Sequence, residues 1–230
     1  MSRLKNFVLG TAATTALTTA AAADFIGFDG EVSQIGDYTV IQMNAVFSSE
    51  NDVLLNLFEV EAIHSDGQTD FNQSDVQIGA GGTWSPNASL DIPGFADSSI
   101  DSYVTIGYGV GAAAATNGTA LDPTWLDATN GLGAYVPSGA GWYNGNPANQ
   151  QTGSAYAGGY YGLGGYAVSI GQFVLETESW TNYAFILEGQ VGYTENGEVQ
   201  FGEDTFIVFP TPGALALLGL GGLTTRRRKH

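Results

Sequence analysis

The chain of 230 residues has no cysteine. That excludes disulfides, thiolate metal sites and cysteine nucleophiles together. Cations are missing over most of its length. The six basic residues are Arg3, Lys5, Arg226, Arg227, Arg228 and Lys229, all close to one terminus or the other. Between Asp24 and Pro212 there are 23 carboxylates, no lysine, no arginine and a single histidine, His64. Nothing in that stretch can neutralise phosphates, so nucleic-acid binding is excluded for it. An anionic membrane surface would repel it as well. Long amphipathic helical patterns are also lacking there.

The cationic ends carry their own signals. Residues 1–23 read as a secretory signal peptide: Arg3 and Lys5 precede an uncharged run rich in Ala, Thr and Leu. Ala21 and Ala23 form a small-x-small cleavage site, which predicts a mature start at Asp24 and handling by the Sec translocon and signal peptidase. At the other end, Pro210-Thr211-Pro212 excludes helix. Gly213–Leu223 is apolar throughout, and Arg226, Arg227, Arg228 and Lys229 follow. The apolar run is shorter than the roughly 20 residues of a standard spanning helix. The basic cluster is expected to stay cytoplasmic while the anionic middle is exported.

The order Pro-x-Pro, a Leu/Gly-rich apolar segment and a terminal Arg cluster resembles the PEP-CTERM sorting signal. ALALLGLGGL followed by RRRK carries the likeness, and Thr211 stands where the family has Glu. The resemblance covers residues 210–230 only. It implies a transient membrane anchor, processing by an exosortase-like membrane enzyme and an exopolysaccharide or biofilm-matrix setting. The expected location is the cell envelope, outer surface or extracellular matrix.

Residues 24–209 read as strands and turns. Tyr38–Phe47 alternates, with Thr39, Ile41, Met43, Ala45 and Phe47 on one face. In Val53–His64 the apolar phase changes by one residue, from Val53, Leu55 and Leu57 to Phe58, Val60 and Ala62, which predicts a β-bulge. Asp101–Val110, Tyr166–Leu175 and Asn182–Thr194 are further strand candidates. Asn196-Gly197 between Gln190–Glu195 and Glu198–Phe201 predicts a type I′ hairpin, and Thr205–Phe209 a last strand. The pattern predicts an all-β fold, a β-sandwich of jelly-roll or immunoglobulin-like type. Residues 110–165, rich in Gly, Asn and Tyr, read as a long loop region with one or two short strands or a helical turn near Pro123–Ala128, capped by Asp122. A hydrophobic sorting helix is expected at the C-terminus.

Catalytic chemistry has little to build on. His64 lies beside Ser65 and Asp66, but neighbours at a strand end point to opposite faces. No pair of carboxylates is singled out for glycoside hydrolysis. The expectation is therefore a non-enzymatic protein. Calcium is a candidate cofactor, because an anionic domain without cations suits an oxygen-ligated ion. HSDGQTDFNQSD, with Asp66 and Asp70, is its densest acidic stretch, although Phe71 occupies the position an EF-hand needs as Gly. Glycan binding is the other candidate. Trp125, Trp142 and Tyr143 fall in the loop region, Tyr156, Tyr160 and Tyr161 follow, and GWYNGNPANQQ combines aromatic faces with amides. An extracellular polysaccharide would be the partner.

Overall fold

In a computed structural model the described residues are 24–64, 70–74, 84, 91, 96–108, 118–127, 134–145, 151–177 and 184–209. Residues 1–23 and 210–230, and with them Ala21, Ala23, Pro210, Thr211, Pro212 and the Arg226–Arg228 cluster, lie outside that set. No described helix is long and apolar enough to cross a membrane.

The strands are β1 (Phe25–Ile35), β2 (Tyr38–Phe47), β3 (Val53–His64), β4 (Tyr103–Gly107), β5 (Ala120–Leu121), β6 (Ala140–Tyr143), β7 (Ser154–Tyr156), β8 (Gly165–Glu176), β9 (Phe185–Glu195) and β10 (Glu198–Val208). They form two antiparallel sheets. One has the order β1-β2-β8-β4, with β7 also on β8; the other runs β10-β9-β3-β6-β5. The protein is all-β apart from short turns such as α1 (Thr124–Asp127).

Inner faces of both sheets feed one hydrophobic cluster. Phe28, Ile41, Met43, Phe47, Ile106, Ile170 and Phe173 come from the first sheet; Leu54, Leu57, Val60, Phe185, Leu187 and Phe206 come from the second. Bulges let long strands keep an apolar face inward. On β8, Val168 and Ile170 share the core with Phe173 and Leu175, a change of phase that the irregularity opposite Met43 and Asn44 produces. On β3 there are two irregularities rather than one. The first falls between Leu54 and Asn56, so Leu54 is buried in the core and Leu55 is not. The second falls between Phe58 and Glu61, where Glu59 adopts φ 52. Phe58 is left outside the core, edge-on to Phe201.

The hairpin turn forms as its residues require: Asn196 and Gly197 both have positive φ, 50 and 85. Beyond it the chain runs as one strand to Val208, not as two, because Glu198–Val208 stays in register with Phe185–Glu195 throughout. β1 is absent from the strands that alternation picks out. Its FIGFDGEVSQI holds two glycines and two carboxylates, and pairing with β2 is what extends it. The loop region contains β5, β6 and β7 and the helical turn. Asp122 caps that turn, its Oδ1 accepting from the Thr124 amide at 3.0 Å.

Candidate ligand cleft

The aromatic residues proposed from sequence to stack on a sugar mostly serve the core. Trp142 is 0% exposed and Trp125 1%. Trp142 Nε1 donates to the Thr105 carbonyl at 3.0 Å, and Trp125 Nε1 to the Gly141 carbonyl at 2.9 Å. Their rings continue a line of aromatics through Trp84 to Phe71 and Phe173. Burial leaves neither indole face open to a ligand, which corrects the assignment of both. The described side-chain amides of the same stretch, Asn144 and Gln151, are spent internally too. Gln151 Nε2 donates to the carbonyls of Leu54 and Asn144 at 2.8 and 2.6 Å, and Asn144 N donates to the Leu55 carbonyl. Tyr143 is 49% exposed on β6, between Asn56 of β3 and Ala120 of β5.

Of the acidic stretch, Asp66 lies outside the described residues and Asp70 is exposed. Among the described residues no three His, Asp or Glu are grouped to hold a metal ion. The backbone of His64 pairs with Phe185 at the end of β3.

An exposed aromatic cleft lies elsewhere, where the edge strands β1 and β10 approach each other. It is lined by Val32, Ser33, Gln34, Thr39, Tyr160, Val208 and Phe209 and encloses about 340 Å³. Tyr160 is 46% exposed and Phe209 61%, so both rings have surface to offer.

One carboxylate positions Tyr160. Asp29 is fully buried on β1. Its Oδ1 accepts from the amides of Gly30 and Tyr161, both at 2.8 Å. Its Oδ2 accepts from Gly159 at 2.8 Å and Leu163 at 2.9 Å. Three of these four backbone donors, Gly159, Tyr161 and Leu163, fold residues 158–163 around one side chain. Tyr160 N adds a bond to the Gly30 carbonyl at 2.7 Å. Gly158 and Gly162 take φ 105 and 72, the left-handed region where a side chain is strained. Tyr161 fastens the loop to the other sheet. Its Oη accepts from Ile207 N at 2.8 Å and donates to Ile207 O at 3.0 Å, occupying the edge of β10 where another strand could pair. Tyr160 and Tyr161 both pack on Phe206, with ring centroids 5.9 and 4.9 Å away. The loop therefore straps the two edges together and holds Tyr160 over the cleft. Beneath it, burial first and the charge of Asp29 second push the Tyr156 hydroxyl up to about 12, so it stays protonated at physiological pH.

Polar groups converge on the same cleft. Gln34 Nε2 donates to Thr39 Oγ1 at 2.7 Å, and Thr177 Oγ1 lies 3.3 Å from both Gln34 Oε1 and Thr39 Oγ1. This network fixes the exposed Gln34 amide in the cleft lining with Tyr160, while Thr39 beneath it is buried and Thr177 lies outside the lining. Aromatic faces next to oriented amides and hydroxyls suit an uncharged polyhydroxyl ligand. A second depression, on the outer face of β9 and β10, has a different character. It is lined by Glu59, Glu188, Gln190, Glu203 and Asp204 and has no aromatic ring. Asp204 there accepts from Phe28 N at 2.7 Å, a further tie between the sheets.

Sequence reasoning placed Tyr160 among the glycan candidates but missed Asp29, Gln34, Thr39 and Phe209. The one available signal was the glycine run around Tyr160-Tyr161, since GGYYGLGG is a segment that must turn sharply. No family model, curated protein or solved structure matches this chain.

Proposed function

We propose that this is an exported, non-enzymatic protein of the cell surface or extracellular matrix, sorted by its C-terminal tail. The observation that carries the reading is the order of parts in 210–230, taken with a leader that ends at Ala23. The purely anionic middle between them agrees with it, as does the lack of a histidine or cysteine suited to catalysis. On this reading an exosortase-like enzyme processes the tail, and the two sheets are the layers of a jelly-roll or immunoglobulin-like β-sandwich. Fractionation of cells making the intact chain should place it outside the cytoplasm, with Asp24 as the first residue found by N-terminal sequencing. Removing residues 210–230 should release it to the medium. A cytosolic protein with both ends intact overturns the proposal.

A second reading, glycan binding, is favoured by the cleft at Tyr160. The aromatic platform consists of Tyr160 and Phe209, with the exposed Gln34 and Ser33 as polar partners. The ligand is an uncharged or cationic polysaccharide, because residues 24–209 carry 23 carboxylates and no lysine or arginine to hold an anionic one. Tyr160→Ala should reduce binding on a neutral-glycan array at least tenfold, on the scale of about 1–2 kcal/mol for a stacked ring. Tyr143→Ala should leave it unchanged. Equal binding by both variants overturns the cleft as the site.

A further inference from the structure

One corner of the domain gathers negative charge around a buried carboxylate oxygen that no described residue bonds. Asp52, in the turn from β2 to β3, is 1% exposed. Its Oδ2 is buried and accepts no hydrogen bond from any described residue. Asp52 directly precedes Val53, which pairs with Thr194, so it faces Glu195 across the ladder. Like charges placed opposite each other destabilise a sheet. A buried carboxylate without a counter-ion costs more still. Lysine and arginine are absent from residues 24–209 and can supply none.

The start of the described chain lies at the same corner. Asp24 N donates to Ser48 Oγ at 2.7 Å, and Ser48 N donates to Asp24 O at 3.0 Å. Ser48 and Ser49 belong to the turn that carries Asp52, and Asp52 N donates to Ser49 O at 3.4 Å. Phe25 N donates to Tyr193 Oη at 3.3 Å, two residues before Glu195. Asp24 N, Ser48, Asp52, Tyr193 and Glu195 are thereby tied into one cluster.

The geometry points to this corner as a docking site for the α-ammonium group that leader cleavage before Asp24 creates. The inference rests on the export reading above, because the ammonium exists only once residues 1–23 are removed. Hydrolysis of the Ala23–Asp24 peptide bond consumes one water and leaves a carboxylate on the leader and an amine on Asp24. Protonated, that amine is the one fixed cation of residues 24–209. Before cleavage, Asp24 N is a neutral amide that can bond Ser48 but cannot offset the charges of Asp52 and Glu195. Removal of the leader then also completes the fold.

The signs of the pH dependence follow. Burial, and then the charge of Glu195, raise Asp52 above the usual carboxylate range, with Asp24 adding a smaller push. A carboxyl raised in the folded state favours folding at low pH, and that support is lost as pH rises through its folded value. The ammonium, raised by the same carboxylates, contributes below the unfolded α-amino value of about 7.7–8.0 and is lost as pH rises through its folded one. Tyr193, itself pushed up by burial, stays neutral across that range. Free and blocked amines should therefore differ most near neutral pH.

The test uses the chain from Asp24 to His230 with Lys229→Arg, so that its α-amine is the only one present. Acetylation then removes the charge and keeps the N–H that bonds Ser48. The free form should melt roughly 2–4 °C above the acetylated form at pH 7. The gap should close above about pH 9 and below about pH 4, and Asp52→Asn should at least halve it. No gap at pH 7, or a gap that Asp52→Asn leaves intact, overturns the proposal. So does restoration of the acetylated form by millimolar calcium chloride, which would assign the corner to a metal ion. N-terminal sequencing of exported protein tests the cleavage site separately: a start other than Asp24 defeats the export reading at that point, while the acetylation result still reports on the corner.

Discussion

Trp142→Ala should lower the melting temperature by roughly 10 °C or more, measured by thermal unfolding of the purified protein. The side chain is fully buried, meets Trp125 at a centroid distance of 6.5 Å and donates to Thr105 O. Truncating a buried tryptophan to alanine costs about 3–5 kcal/mol in lost apolar contact and residual cavity. Thr105 O loses its indole donor as well. In a domain of this size each kcal/mol shifts the midpoint by about 2–4 °C. Trp125→Ala should behave similarly, since Gly141 O loses its donor in the same way. Tyr143, the next residue in sequence to Trp142, is the control: half exposed on β6, its alanine variant should stay within about 0.5 kcal/mol of wild type. Similar melting of the Trp142 and Tyr143 variants would show that the indole is not a core element. The same comparison bears on sugar binding, because a loss of glycan affinity in Trp142→Ala would report unfolding rather than a lost contact.

Asp29→Asn should cost about 3 kcal/mol or more. The carboxylate accepts from four backbone amides: Gly30, Gly159, Tyr161 and Leu163. Asparagine keeps the size but replaces one acceptor oxygen with an NH₂ group, which meets N–H donors head-on. The donors on that side lose their partner, at about 1–3 kcal/mol each when they stay buried. The midpoint should fall by roughly 6–12 °C. Amide hydrogen exchange sets this apart from a general loss of stability: the amides of Gly159, Tyr161 and Leu163 should exchange fastest, because the loop they share loosens once the donors on the NH₂ side are released. Protection of these three amides as strong as in the wild type would rule out Asp29 as the loop's anchor. Glycan binding at Tyr160, if present, should fall with the loop, whereas Glu203→Gln in the acidic groove should leave it unaffected.

Much of the strand pattern is legible from local alternation. β2, β3 and the Asn196-Gly197 turn occur at the residues the pattern marks, because half-buried strands and type I′ turns are decided by near neighbours. The bulge near Phe58 in β3 is legible as a change of phase, but the irregularity between Leu54 and Asn56 is not, since Leu54 and Leu55 read alike and only the register against β9 selects one of them. β1 is illegible for a related reason. Its Gly27, Asp29, Gly30 and Glu31 lower its strand character, and what extends it is pairing with β2 across the Gly36-Asp37 turn, together with the distant Asp204 that accepts from Phe28 N. Trp125, Trp142 and the amides of Asn144 and Gln151 illustrate a different limit. Aromatic and amide side chains in a glycine-rich segment have the same composition whether they meet a sugar or a carbonyl of their own chain.

The sequence alone determined the charge segregation, the lack of cysteine chemistry and the all-β character, because these rest on composition and on contacts between near neighbours. Which aromatics face solvent was decided only by the tertiary structure, through pairings between residues far apart in the chain. Trp142 is withdrawn by a bond to Thr105, and Tyr160 is held outward by the buried Asp29.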